Sequence, residues 1–299
     1  MPNALNYATD YQRALSQAYP YVLNFGALYS TPNNGRYRWV NSKTIEIPSI
    51  STTGRVNGSR DSISGATRNY ENAWEPKTLT NHRKWSTLVH PMDIDQTNMV
   101  ASIANITRVF NEEQKFPEMD AYTISKLYAL RTAAGMSYTA DATVLTTANV
   151  LTVFDTMMKN MTAARVPGTG RILYVTPTVN TLIKNAQQLQ RNYNVQGGGS
   201  DIKFTITSID NVDIVEVPEE LMKTVYDFTS GWAVGATAKQ INMFLVHPMS
   251  VITPVSYQFA TLDAPSAGSE GKYVYFEESF EDVFILNKRA AGLQFNITA

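Results

Sequence analysis

The segment that most constrains the fold lies between residues 44 and 89, where two alternating stretches flank a long polar excursion. Residues 44–48 alternate polar and apolar side chains as strands do, and Pro48 favours an edge position. Residues 84–89 resume the alternation, and the chain between is rich in Gly, Ser, Thr and Arg. Loops this long are uncommon inside compact domains and usually serve binding. We therefore interpret residues 44–89 as a hairpin that extends beyond its own domain.

This hairpin and a run of acids near the end of the sequence carry opposite charges. Residues 54–86 contain six basic and three acidic residues, a net charge of +3, whereas residues 277–282 contain four acids. The acidic run is either a solvated turn or a binding surface for a basic segment from another copy of the chain. The second interpretation predicts contacts between subunits through basic residues (Arg55, Arg60, Arg68, Lys77 and Lys84) and acidic residues (Glu277, Glu278, Glu281 and Asp282).

Composition favours a structural protein over a nucleic-acid reader. The 299 residues are 43% apolar, enough for a substantial core in one large domain or two modest ones. Only 17% are charged, which fits surfaces that lie against other subunits, where charged residues are depleted. The formal net charge of −1 offers no general electrostatic attraction to DNA, RNA or anionic membranes. No signal peptide and no stretch of membrane-spanning length is recognised, so a soluble chain is expected.

No constellation in the sequence predicts a catalytic, cofactor or metal site. The chain has no cysteine, and His82, His90 and His247 lack metal-ligand spacing. Asp93 and Asp95 precede a predicted helix, where carboxylates favour the positive helix terminus. The glycines of residues 168–170 precede a strand, whereas phosphate-binding glycines follow one. We therefore expect no enzyme, although dispersed catalytic groups stay possible.

Hydrophobic periodicity predicts helices and strands along the rest of the chain. After a capping segment at 93–97, a helix is predicted from Met99 to about Lys115, interrupted by Pro117, and a second one from Glu118 to about Gly135. A separable α/β region follows, and its predicted elements are a helix capped by Thr147, a strand at 171–176, a helix from Pro177 to about 191, and strands at 203–207 and 212–217. Residues from 240 onward are predicted to be strand-rich.

This order of elements resembles the major capsid proteins of tailed bacteriophages. The passages that carry the resemblance are residues 93–115, which look like a spine helix, residues 170–186, similar to a strand and helix of an axial domain, and the stretch from Tyr273. The resemblance implies an α+β fold with an N-terminal arm, an extended hairpin loop, a spine helix, a peripheral domain and a central axial α/β domain. The implied divisions are 1–43 for the arm, 44–90 for the loop, 91–136 for the spine helices, 137–239 for the axial domain and 240–299 for the returning strands of the peripheral domain.

The resemblance also implies a function. Such a subunit assembles with itself into pentamers and hexamers of an icosahedral head, which encloses double-stranded DNA without reading its sequence. It would act in the virion after assembly in the host cytoplasm, together with a portal and a scaffold or decoration protein. Some members cross-link through a loop lysine and a neighbour's asparagine, for which Lys77 and Lys84 are the loop lysines. The alternatives are an encapsulin-like nanocompartment shell and, as the less favoured one, an α/β enzyme built on residues 147–217.

Overall fold

The protein's structure, a computed structural model, describes residues 21–58, 60, 68–97, 101–186 and 208–298. The strands within these ranges are β1 (Arg38–Asn41), β2 (Thr44–Thr52), β3 (Tyr70–Thr78), β4 (His82–Val89), β5 (Ile172–Val175), β6 (Ser208–Ile209), β7 (Val212–Glu216), β8 (Tyr226–Asp227), β9 (Ala233–Val234), β10 (Ile241–Val246), β11 (Val251–Ile252), β12 (Val255–Asp263), β13 (Tyr273–Glu281), β14 (Phe284–Ile285) and β15 (Leu293–Ile297). The helices are α1 (Gly26–Tyr29), α2 (Pro91–Gln96), α3 (Ile103–Phe110), α4 (Phe116–Arg131), α5 (Val150–Ala163) and α6 (Pro177–Lys184), and a π turn (Asn111–Lys115) joins α3 to α4. Within these ranges, no helix has the length and apolarity that crossing a bilayer requires.

The core is built on a central sheet in the order β15-β10-β5-β7-β6. Successive side chains of β10 point to opposite faces, so Met243 and Leu245 pack with α5 and α6, whereas Phe244 packs with α4 on the other side. The sheet combines strands from the predicted axial region with β10 and β15 from the returning segment. The predicted α/β region is therefore not separable, because its sheet is completed by strands that follow it.

Local signals explain the two helices that cover one face of this sheet. α5 carries Val150 and Phe154 on its buried side, as predicted, but it begins after Asn149 rather than after Thr147. The predicted cap of α6 is confirmed, because the Thr176 hydroxyl accepts the amide of Val179 at 3.4 Å. The helix ends at Lys184, with Asn185 as its C-cap, so the prediction that it continues to about residue 191 is wrong. The strand predicted at 203–207 lies outside the described residues.

Arg171 is buried beside the end of α5, with 1% of its surface exposed. Its guanidinium donates to the carbonyl oxygens of Pro167 and Val166, both at 2.8 Å, and of Met158 at 3.3 Å. A further hydrogen bond reaches the Thr162 hydroxyl at 3.1 Å. This cation binds the turn that follows α5 and lies near the C-terminal end of the helix, where positive charge is favoured.

A long helical segment runs from α3 through the π turn into α4, so the prediction that Pro117 ends the first helix is wrong. The amide of Phe116 donates to Asn111, five residues back, which defines the wider turn. That turn comes directly before the proline, whose ring would otherwise clash with a preceding carbonyl and which lacks an amide to donate. The predicted capping segment is instead the separate helix α2, which begins after His90.

The hairpin is formed by β2 and β3, so its predicted pairing was also wrong. The pairing extends from Thr44 opposite Thr78 to Thr52 opposite Tyr70, and β1 adds a third strand. β4 belongs to a different sheet, in the order β12-β13-β4. The local sequence of β3 hid this strand, because its Pro76 and its charged and amide residues are poor strand formers.

The corrected boundaries change the charge of the hairpin. Residues 44–78 contain four basic and four acidic residues, so their net charge is zero. The positive charge is concentrated in the hairpin tip, which we define as residues 54–68 and which contains three arginines and one aspartate. Arg83 and Lys84, which contributed to the predicted +3, lie on β4 instead.

Candidate functional site

The acidic run lies on β13, the middle strand of the sheet β12-β13-β4, and is not a solvated turn. Glu277 lies opposite Trp85, and Glu278 opposite Lys84. Because side chains alternate along a strand, Glu277 and Glu281 share the face that carries Trp85, and Trp85 stacks on Phe110 of α3 at 3.8 Å between ring centres. Glu278 belongs to the opposite, open face of the sheet.

Three of the acids have partners within the chain. Glu277 Oε1 lies 3.1 Å from Lys115 Nζ, and Glu278 pairs with His82. Asp282 is 1% exposed and accepts hydrogen bonds from the Thr80 amide and the Tyr122 hydroxyl, each at 2.8 Å. Asp282 thus joins the base of β4 to α4 within the chain.

A groove of about 320 Å³ lies between this sheet and the long helix. Glu278 and Lys84 also contribute to the lining, but their side chains belong to the open face. The other charged residues of the described lining are four acids and two bases, a net charge of −2: Glu118, Glu277, Glu281, Asp282, Arg83 and Lys115. Arg83 is tied to Glu118 at 2.5 Å and to the backbone carbonyl of Phe228 at 2.6 Å, so it cannot also neutralise the other acids. Asp282 is compensated by Lys126, whose Nζ lies 3.5 Å from Asp282 Oδ1. The groove therefore suits an added cation beside Glu281, whose nearby cation, Lys115, is already paired with Glu277.

Glu281 is the groove acid whose charge is least compensated. Burial raises its pKa, as do the nearby carboxylates of Asp282 and Glu118, and the ammonium of Lys115 acts in the opposite direction. A further positive charge in the groove would favour the ionised form of Glu281. This side chain is a candidate contact for an arginine from outside the chain.

The predicted basic residues are not brought to this groove within one chain, Lys84 excepted. Arg55, Arg60 and Arg68 lie on the hairpin tip and are exposed. Lys77 lies at the base of the hairpin, where its ammonium donates to Asn287 Oδ1 of the same chain at 2.9 Å. Burial lowers the pKa of Lys77, although the Glu75 carboxylate opposes this effect. Contacts between the tip and the acids of another copy stay a prediction.

Two exposed apolar surfaces were missed by the sequence reasoning. On the hairpin, Ile50, Tyr70 and Trp74 are between 42% and 64% exposed and share one face, because Pro48 pairs with Trp74 and Thr52 with Tyr70. We call this the hairpin face. The signal was present in the period-two pattern of β2, whose two faces are both partly apolar. Side chains of this kind, exposed on a projecting hairpin, are typical of binding surfaces.

The other apolar surface is the open face of the sheet β12-β13-β4. Tyr257, Phe259 and Leu88 are exposed there, and the ring centres of Tyr257 and Phe259 are 6.3 Å apart. Phe276 continues the row, with its ring centre 6.3 Å from that of Phe259. This aromatic row lies on the side of the sheet that faces away from the long helix.

The predicted N-terminal arm does not extend away from the body over residues 21–36. Phe25 and Leu28 are fully buried in the main core, and the segment is anchored to Asp120 of α4. One carboxylate oxygen accepts the Tyr21 hydroxyl at 2.5 Å and the Asn24 amide at 2.8 Å, and the other accepts the Phe25 amide at 3.1 Å. The first 20 residues of the predicted arm lie outside the described residues.

Substituting Asp120 by Asn should change how stability depends on pH. Burial raises the pKa of Asp120 from 3.8 to about 6, although the hydrogen bonds oppose the shift. The folded state thus holds this proton more tightly than the unfolded chain, so the contribution of Asp120 to stability is most favourable below pH 4, falls as the pH rises to 6 and is constant above it. We expect the wild type to lose about 3 kcal/mol relative to Asp120→Asn across this window. Urea unfolding of the subunit at a series of pH values measures the difference, and a constant difference would contradict the assignment.

Comparison with solved structures gives matches over nearly the whole chain. A chain from Mycobacterium phage Che8 is 14% identical with a TM-score of 0.65, and the match covers 97% of both chains. The mature capsid of bacteriophage PhiM1 provides a match at 12% identity and a TM-score of 0.68, covering 98% of this chain and 92% of that one. The capsid of the cyanophage P-SCSP1u matches at 12% identity and a TM-score of 0.66, over 98% and 93%.

The similarity lies in the arrangement of the backbone rather than in the sequence. No protein-family model matches this chain, and no curated protein does. The α+β architecture described above nevertheless aligns with phage capsid chains from end to end. The chain therefore has the fold of the major capsid proteins of tailed bacteriophages, as the resemblance of its sequence implied.

Proposed function

We propose that this chain is a structural subunit that assembles with itself into the icosahedral head of a bacteriophage and encloses the viral genome. The observation that carries the proposal is the match to capsid chains over nearly the full length of both partners. The projecting hairpin supports it independently, because its apolar face is exposed in the single chain and would be buried in an assembly. The low content of charged residues points the same way.

In the proposed shell, the hairpin of one subunit lies over its neighbour. The hairpin face, formed by Ile50, Tyr70 and Trp74, supplies the apolar area, and the tip arginines supply the charge. We propose that these arginines meet Glu277 or Glu281 in the groove of the neighbouring copy, which retains negative charge, or Glu278 on the open face of the same sheet. Asp282 is removed from the predicted set because its carboxylate is buried and already accepts hydrogen bonds.

Reversing the charge of the tip should impair this contact. In the variant Arg60→Glu/Arg68→Glu, carboxylates replace two exposed cations and would meet the acids of the groove, so repulsion replaces attraction. We expect particle yield to fall at least several-fold while the circular dichroism of the subunit is unchanged. The matched control is Lys159→Glu/Arg165→Glu, which makes the same change of charge on exposed residues at α5. Equal particle yields for the two variants would count against the groove as the partner.

The remaining assignments follow from the same proposal. The divisions into arm (1–43), loop (44–90), spine helices (91–136), axial domain (137–239) and returning strands (240–299) are proposed, with the axial and returning segments sharing the central sheet. A portal and a scaffold or decoration protein are the proposed partners, in addition to pentamers and hexamers of the chain itself. The proposed location is the virion, after assembly in the host cytoplasm.

Electron microscopy of the expressed protein tests the proposal. We expect closed shells of uniform size, and a chain that stays monomeric at every concentration tried, with and without the products of neighbouring genes, would overturn it. The encapsulin-like alternative predicts shells that enclose a protein cargo, whereas a phage head predicts neighbouring genes for portal, protease and terminase. The capsid matches do not favour that alternative or the α/β enzyme.

A further inference from the structure

β12 is an edge strand that takes no part in the hairpin contacts proposed above. It pairs with β13 along one side, and no described strand lies along its other side. Its nine residues are exposed or half-exposed, including Tyr257, Phe259 and Leu262 at 43% to 54%. The strand therefore presents a row of backbone donors and acceptors that another strand can join.

From Tyr257 to Asp263, β12 lacks the proline and lysine residues that usually protect an edge, and the one irregularity is a register shift between Val255 and Tyr257 at its start. Its one charged residue, Asp263, is at the end. By contrast β3, an edge strand of the hairpin sheet, contains Pro76, Lys77 and two glutamates. Natural proteins place such residues on edges to prevent pairing with other chains. The contrast between the two edges indicates that pairing at β12 is tolerated.

We propose that β12 pairs with β12 of a second copy, antiparallel and across a two-fold axis at Phe259. This inference deepens the proposed self-assembly by naming a contact that does not involve the hairpin. Centring the pair on Phe259 places Tyr257 opposite Thr261 within the regular part of the strand, Tyr257–Asp263, because the register shift between Val255 and Tyr257 ends the regular pairing there. No like charges face each other, and the two Phe259 rings form the kind of cross-strand aromatic pair that stabilises sheets.

The geometry of the two sheets is compatible with this pairing. A two-fold axis perpendicular to the sheet keeps corresponding faces on the same side, so the sheet continues as β4-β13-β12 followed by the same strands of the second copy in reverse order. The aromatic rows of Tyr257, Phe259 and Phe276 then form one surface. Both long helices lie beneath the opposite face, where they already cover Trp85. The contact is isologous, as a two-fold requires.

Disulfide trapping tests the register, because the natural chain contains no cysteine. Residues opposite each other in antiparallel strands have Cα atoms roughly 4.5 to 5.5 Å apart, within reach of a disulfide. Phe259→Cys should therefore form covalent dimers under mild oxidation. Thr261→Cys is the matched control, because the two copies of residue 261 are about four residues, or roughly 13 Å, apart along the strands. The double variant Tyr257→Cys/Thr261→Cys should form dimers again.

Non-reducing electrophoresis gives the readout, with circular dichroism to establish that each variant is folded. Dimers from Phe259→Cys and from the double variant, but not from Thr261→Cys, are the expected result. Dimers in similar amounts from the two single variants, or from neither while the double variant is also negative, would overturn the pairing. Electron microscopy of the same samples scores shell formation separately, so shells without these dimers would reject β12 pairing and leave the proposed function intact.

Discussion

Replacing the hairpin tip, residues 54–68, by the dipeptide Asn-Gly should abolish particle formation and leave the subunit folded. The strands would still close, because the amide of Thr53 donates to the carbonyl of Asn69 at 2.9 Å directly below the tip. Asn-Gly is the preferred loop for a two-residue hairpin turn. The described residues of the tip are exposed, so their removal costs the isolated subunit little.

Two measurements and a second variant distinguish the effect of the length of the tip from the effect of its charge. Particle yield by electron microscopy should fall to none for the shortened hairpin, while unfolding by urea should change by less than about 0.5 kcal/mol, as for other surface changes. A second variant keeps the length of the tip and replaces Arg55, Arg60 and Arg68 by Gln, which removes charge alone. Normal shells from the shortened hairpin would show that the tip does not join subunits.

Arg171→Met should be among the most destabilising single substitutions outside the apolar core. The side chains are similar in length, but the variant removes the donor to the partly buried carbonyl oxygens of Val166 and Pro167. It also removes one donor to the carbonyl of Met158, which still accepts from the Thr162 hydroxyl. Each unpaired buried group costs about 1 to 3 kcal/mol. We expect a loss of more than about 3 kcal/mol in the free energy of unfolding, part of which Arg171→Lys restores.

Equilibrium unfolding of unassembled subunits, followed by circular dichroism, measures this loss. Lys159→Met is the control, because Lys159 is exposed on α5, the helix beside which Arg171 is buried, and its substitution should change stability by less than about 0.5 kcal/mol. If the two variants proved equally stable, the hydrogen bonds of Arg171 would not be what holds the end of α5. The outcome bears on the fold alone and is independent of the proposed assembly.

Elements with strong local signals were predicted well. The apolar spacing of α5, the Thr176-Pro177 start of α6 and the strands β10 and β15 could be read from the sequence, because burial on one or both faces leaves a periodic pattern. The fold itself was reached through the order of these elements, and the structural matches confirm it. The sequence also showed that one proposed contact surface is basic and the other acidic. It did not show how these charges are divided between the hairpin tip, β4 and β13.

The errors arose where distant residues decide the structure. Pro117 continues a helix because a π turn precedes it, and a π turn leaves no pattern that we recognised in the sequence. The acids of β13 form a strand because Lys115, His82 and the Thr80 amide come from elsewhere to neutralise or bind them. The partner of β2 was misassigned because β4 has the clearer alternation, although β3 is its neighbour along the chain. Pairing of strands is a tertiary property, and local propensity specifies it poorly.

The order of strands in the central sheet has a consequence for how the subunit folds. Leu173 pairs with Leu245, and Phe244 with Phe295, so the core forms only after long stretches of chain have closed. The hairpin pairs β2 with the next strand and needs little loop closure. Because local contacts form faster than distant ones, the surface that is proposed to bind neighbours should be complete before the core is. Newly made subunits would then expose the surface that binds neighbours before their core is stable. Delaying the binding between subunits would therefore improve the yield of correctly folded chains.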